Sequence, residues 1–157
     1  MDESSERAAP QWNLTRSAKA KNAVQRCVTA LLDELAPERV LKRVEALKGE
    51  VEQHRTPSGC VLQAETCAVS VSWFPEASKE AELGELHILV WQGKVTRRGG
   101  TGRAAKNARL VEEMVVRPDE SSTDECRWIG QGGERHDTAS LAAKCLALLA
   151  AQIDDKA

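Results

Sequence analysis

Apolar residues recur along this chain in two rhythms, one of three to four residues and one of two. Each rhythm predicts its own kind of element. From Trp12 to Leu35 the positions Ala20, Val24, Cys27, Val28, Leu31, Leu32 and Leu35 follow the longer rhythm and define one helical face. Pro37 interrupts it. Proline suits the first turn of a helix and not its interior, so a second, shorter helix is predicted from Pro37 to a stop at Gly49, with Val40, Leu41, Val44 and Leu47 as its stripe. The same rhythm returns near the C-terminus, where Leu141, Cys145, Leu148 and Leu149 form a stripe behind an N-cap at Asp137 or Thr138.

Between these helices the shorter rhythm rules. The densest apolar run is Leu83 to Arg98, in which Leu86, Ile88 and Val90 share one parity and His87, Leu89, Trp91 and Val95 the other. A segment apolar on both parities and rich in β-branched and aromatic residues predicts a strand in the middle of a sheet. Val51 to Arg55, Val61 to Ala64, Cys67 to Trp73, Leu110 to Val116 and Cys126 to Ile129 supply further short strands. In the third of these, Val69, Val71 and Trp73 point inward and Ser70 and Ser72 outward. Consecutive strands joined by short loops specify an antiparallel meander. The expectation is an α+β two-layer sandwich: two N-terminal helices, a meander of four to five strands, then a C-terminal helix. Residues 12–153 form one domain, flanked by a disordered tail over 1–11 and a short tail over 154–157.

Composition changes this picture little. A chain of 157 residues can bury a core, and the start lacks the basic and apolar runs of a secretion signal. No apolar run reaches bilayer length. Five cysteines without metal-ligand or redox spacing read as small buried residues in a reducing compartment, which places the protein in the cytoplasm.

Charge changes it more. The net charge of −2 hides a polarised distribution. Between Glu85 and Glu112 there is no acid, while Lys94, Arg97, Arg98, Arg103, Lys106 and Arg109 accumulate around Gly99, Gly100 and Gly102. The next loop carries Asp119, Glu120, Asp124 and Glu125. Successive connections of a meander leave from opposite ends of the sheet, so the domain should be basic at one end and acidic at the other. Glycine lets backbone N–H groups approach an anion, and arginine can grip it. The six cations are therefore the candidate anion- or partner-binding residues, although a solvated hairpin loop accounts for them as simply. The segment has neither a P-loop nor a dinucleotide fingerprint.

Candidate catalytic chemistry is sparse. His54, His87 and His136 stand in no metal-ligand spacing, and only a Cys67–His87 dyad across neighbouring strands is conceivable. No catalytic residue, cofactor or metal is assigned. The first helix carries Arg16, Lys19, Lys21 and Arg26 beside its apolar face, but core packing explains that stripe better than a membrane surface does. Trp73, Trp91 and Trp128 fall on strands and supply most of the large apolar area of the sheet. The reading is a non-enzymatic protein-binding or scaffold module that engages a protein, or another copy of itself, by a sheet face or its charged ends. Nucleic-acid or phosphate binding by the 94–109 loop is the alternative, and no membrane is involved.

Overall fold

The computed structural model describes residues 3–36, 51–75, 83–95, 108–121 and 123–156, with backbone alone for 3–17, 124 and 154–156. The second helix expected from Pro37 to Gly49 lies outside the described residues. The N-terminal helix α1 spans Glu3–Glu34 and the C-terminal helix α2 spans Thr138–Lys156. Between them runs a sheet of seven strands. These are β1 (Glu52–Thr56), β2 (Gly59–Gln63), β3 (Cys67–Phe74), β4 (Glu85–Gln92), β5 (Arg109–Pro118), β6 (Trp128–Gly130) and β7 (Arg135–His136). Every neighbouring pair is antiparallel and the spatial order equals the chain order. The α+β class and the meander are as the alternation predicts.

Two details correct the expectation. The strands number seven rather than four or five: the short segments read as strands are all separate strands, and β7, with two residues, is too short for an alternation to register. Helix α1 begins ahead of the Trp12 at which the apolar stripe starts. Glu, Ala and Arg propagate a helix well, so a stripe reports the buried part of a helix and not its length. Likewise α2 runs on through Ile153 into the expected tail.

Register explains how the core is built. Val69 pairs with Val90, Val71 with Ile88, Trp73 with Leu86, and Leu86 with Val116, so these side chains share a face. They are buried together with Leu62, Trp128 and the α1 residues Val24, Val28, Leu31, Leu32 and Leu35. From α2 come Leu141, Cys145, Leu146 and Leu149, while Leu148, which the periodicity placed in the stripe, is half-buried. Both described helices thus cover one face of the sheet and pack on each other. Trp73 and Trp128 meet edge to face within that layer, with ring centroids 5.9 Å apart, a favoured aromatic geometry.

Polar groups tie the ends. Gln53 Nε2 donates to the Leu35 and Leu32 carbonyls at 3.0 and 3.4 Å, a side-chain contact to carbonyls at the end of α1. Arg55 pairs with Asp33 at 2.7 Å nearby. At the start of α2, Asp137 Oδ1 accepts from the Ser140 N–H at 2.7 Å while Ser140 Oγ accepts from the Asp137 N–H at 2.9 Å. This is a reciprocal cap, and it selects Asp137 from the two candidates. Buried Gln63 donates to the Ala64, Cys67 and Gly93 carbonyls, and its Oε1 accepts from the Val95 N–H at 2.9 Å. That one amide joins the β2–β3 turn to the exit of β4. A one-residue register shift in β5 opposite Val90 and Trp91 marks a β-bulge.

The thiol reading is corrected at two positions. Cys27 of α1 and Cys126, just before β6, form a disulfide across a separation of 99 residues, while Cys60, Cys67 and Cys145 are buried thiols outside any disulfide. The cytoplasmic placement rested on five reduced cysteines, so it loses that support. Among the described residues no helix is long and apolar enough to cross a membrane.

Candidate functional site

The second face of the sheet carries no helix among the described residues. Strand alternation puts on it the residues between the core positions: Ser70, Ser72 and Phe74 of β3, Glu85, His87, Leu89 and Trp91 of β4, Val115 and Arg117 of β5, and Ile129 of β6. Leu89, Trp91, Val115 and Ile129 are half-buried and Phe74 is 46 % exposed. Trp91 Nε1 donates to Ser70 Oγ on the neighbouring strand at 3.0 Å, which ties its half-buried indole to this face.

At one end of the face the charges converge. Arg117 Nε and Nη2 donate to Glu85 Oε2 at 3.0 and 2.9 Å, and His87 Nε2 stands 3.2 Å from Glu85 Oε1. Both carboxylate oxygens are therefore engaged, as the burial of a side chain only 16 % exposed requires. The hydrogen bonds from His87 and then Arg117 lower the Glu85 pKa below its ordinary value. Phe74 stacks at a tilt on His87, with centroids 4.6 Å apart, and fixes the ring from the other side.

Beside this cluster a groove of about 720 Å³ opens. Its floor is Val115, Ile129 and the Glu85–Arg117 pair, and one wall is Asp119, Glu120 and Ser121 from the connection between β5 and β6. Asp119 is buried and organises that wall. Its Oδ1 accepts from the Ser121 N–H and Oγ at 3.0 and 2.7 Å, and its own N–H donates to the Arg127 carbonyl at 2.9 Å. The lining holds three carboxylates against one guanidinium, so the groove is acidic over an apolar floor.

The residues singled out by sequence fall elsewhere. Lys94 is exposed just after β4, and Arg109 opens β5 with Nη2 donating to Gln92 Oε1 at 2.7 Å. Arg97, Arg98, Arg103 and Lys106 lie outside the described residues. Arg109, where β5 begins, lies at the end of that strand opposite Asp119. The Cys67–His87 dyad is overturned. Cys67 pairs with Gln92 and is wholly buried on the covered face, whereas His87 pairs with Ser72 on the other. Of the three strand tryptophans, Trp73 and Trp128 are core and Trp91 is on the bare face.

The Glu85–His87–Arg117 cluster and its groove escaped the sequence reading. Glu85 and His87 stand two apart, and so share a face, which is visible in sequence. Arg117 joins them only through the β4–β5 register. Comparison with protein-family models, with curated proteins and with solved structures returns no match.

Proposed function

We propose that this chain is a protein-binding module whose partner lies on the face of the sheet that carries no helix among the described residues. The observation that supports the reading is the combination on that face of half-exposed Leu89, Trp91, Val115 and Ile129 with an adjoining acidic groove. Apolar surface rimmed by polar groups is the form that association sites take. The charge of the groove favours a partner segment that is basic with apolar anchors, and complementary charge sets orientation and encounter rate.

A binding role also suits the chemistry of the side chains. Both oxygens of Glu85 are occupied, and the Ser121 hydroxyl is given to Asp119. Burial pushes the Cys60 and Cys145 thiols up to about 11 and about 12, far from the thiolate form that nucleophilic chemistry needs. The test is affinity capture by the wild-type chain and by a Leu89→Lys/Ile129→Lys double variant. Light scattering over a concentration series at low and high salt runs beside it. A protein, or a second copy, that is retained by wild type and lost by the variant supports the reading. Retention unchanged by the double substitution, or capture of nucleic acid alone, overturns it.

A further inference from the structure

The only covalent tie between distant parts of the described chain runs from α1, on the covered side of the sheet, to the connection that walls the groove. Cys27 is buried within α1, whereas Cys126 is half-buried and is the most accessible of the five cysteines. Cys126 is also the one non-glycine residue of the described chain with positive φ, at 55°, a conformation that residues carrying a Cβ seldom adopt. It closes a connection that begins at buried Asp119, and the short 3-10 turn Thr123–Glu125 just before it packs on α1. Partial exposure of one bonded residue, an uncommon backbone at that residue, and a place in the connection that walls the groove occur together here.

We propose that Cys27–Cys126 is a reversible staple whose oxidation state sets the order of the groove wall, and so, resting on the protein-binding reading above, regulates that site. The reductant is a dithiol protein or a glutathione-type thiol. Its thiolate attacks Cys126 Sγ, on the more exposed of the two bonded residues. The Cys27–Cys126 bond breaks, a mixed disulfide forms on Cys126, and the Cys27 sulfur leaves as a thiolate that takes a proton. A second reductant thiol then displaces Cys126 from the mixed disulfide. Overall two electrons and two protons convert the cystine to two thiols while two reductant thiols become one disulfide. The reduced state is provided for, since Cys27 Sγ lies 3.4 Å from the Thr123 carbonyl oxygen and the new S–H has an acceptor waiting. With the bond gone, nothing covalent keeps Cys126 in its left-handed conformation, and the 119–127 connection relaxes. The remaining cysteines stay out of the exchange, because Cys60, Cys67 and Cys145 are buried.

The test uses the purified full chain equilibrated in oxidised and in reduced glutathione buffers. Alkylation and mass spectrometry read the thiols, and amide hydrogen exchange reads the connection. Alkylation is carried out after a denaturing quench, so that buried thiols are counted. The expected result is a reversible rise from three to five alkylated cysteines, the two gained being Cys27 and Cys126, with exchange over 119–127 faster by about tenfold or more and the amides of β3 and β4 unchanged. A bond that never forms, one that resists the reducing buffer, or one that reduces without loosening 119–127 overturns the proposal. A Cys126→Ser variant keeps the Cys27 thiol and its acceptor and should match the reduced wild type. Should it fail to fold, the reduced wild type alone decides. Capture of the partner in both buffers separates the two readings. Equal capture in both removes the regulation and leaves the binding site, whereas no capture in either removes the binding site and leaves the redox result standing.

Discussion

The two faces of the sheet are made by the same strands, alternate residue by alternate residue, yet they do different work. On the covered face Val69, Val71, Leu86, Ile88 and Val90 are sealed beneath two helices. On the other, Leu89, Trp91, Val115 and Ile129 keep part of their surface in water, and Glu85, His87 and Arg117 form a charged island among them. Burial of apolar area is what stabilises a fold, so stability is concentrated on one face, and the other is free to be shaped by recognition. In β4 that division occurs between neighbours: Ile88 is fully buried and His87 faces out.

The contrast can be broken by substitution, most strongly on the covered side. Trp128→Ala should cost about 3–5 kcal/mol, the range for truncating a buried aromatic, read as a lowered denaturation midpoint with partner capture by the residual folded protein retained. Gln63→Leu comes next. It removes an amide that serves three carbonyls and one N–H in a buried setting, and each abandoned backbone group exacts desolvation. A loss of about 1–3 kcal/mol is expected in chemical denaturation. Leu89→Lys on the bare face should change stability by no more than about 0.5 kcal/mol, in the same assay that registers the other two. A large loss at Leu89 would mean that the face is core after all.

Acid sharpens the comparison with the smallest effect. Glu85 on the bare face and Asp137 at the α2 cap both have folded pKa values held below their ordinary 4.5 and 3.8, the first by the His87 and Arg117 hydrogen bonds and the second by the Ser140 N–H. A lowered folded pKa means that each contributes stability above its unfolded pKa and loses it as pH falls through the folded value. Stability should therefore be level above about pH 5 and decline below it. Glu85→Gln should remove part of that acid dependence, measured as the midpoint of denaturation against pH, and Asp137→Asn a separate part.

How far these features could be read without coordinates depends on how local their signals are. The two parities of Leu86 to Trp91 need only neighbours in sequence, and they placed β4 mid-sheet, although which parity faces the helices was not legible from them. The capping pair Asp137 and Ser140 is equally local. Strand β7 has two residues and no rhythm to detect, and Leu146 is buried although the chosen stripe passed over it. The Cys27–Cys126 bond joins two residues 99 positions apart that nothing in their spacing relates. Only the docking of α1 beside the β5–β6 connection brings them together. The groove depends likewise on register, since Glu85 and Arg117 stand 32 positions apart and meet because Leu86 pairs with Val116.

The bulge in β5 has one more consequence. Among the described residues, β6 covers only Val116 to Pro118 of that strand, and the stretch from Arg109 to Val115 has its outer backbone edge unpaired while Leu110 and Val111 are exposed. A long, flat, apolar margin of this kind would template fibril growth. Here the extra residue breaks the two-residue phase, so an incoming segment aligned with Glu112 to Val115 is out of step by Leu110. A single inserted position, together with Glu112 and Glu113 on the same margin, thus interrupts the register that an added strand would have to follow.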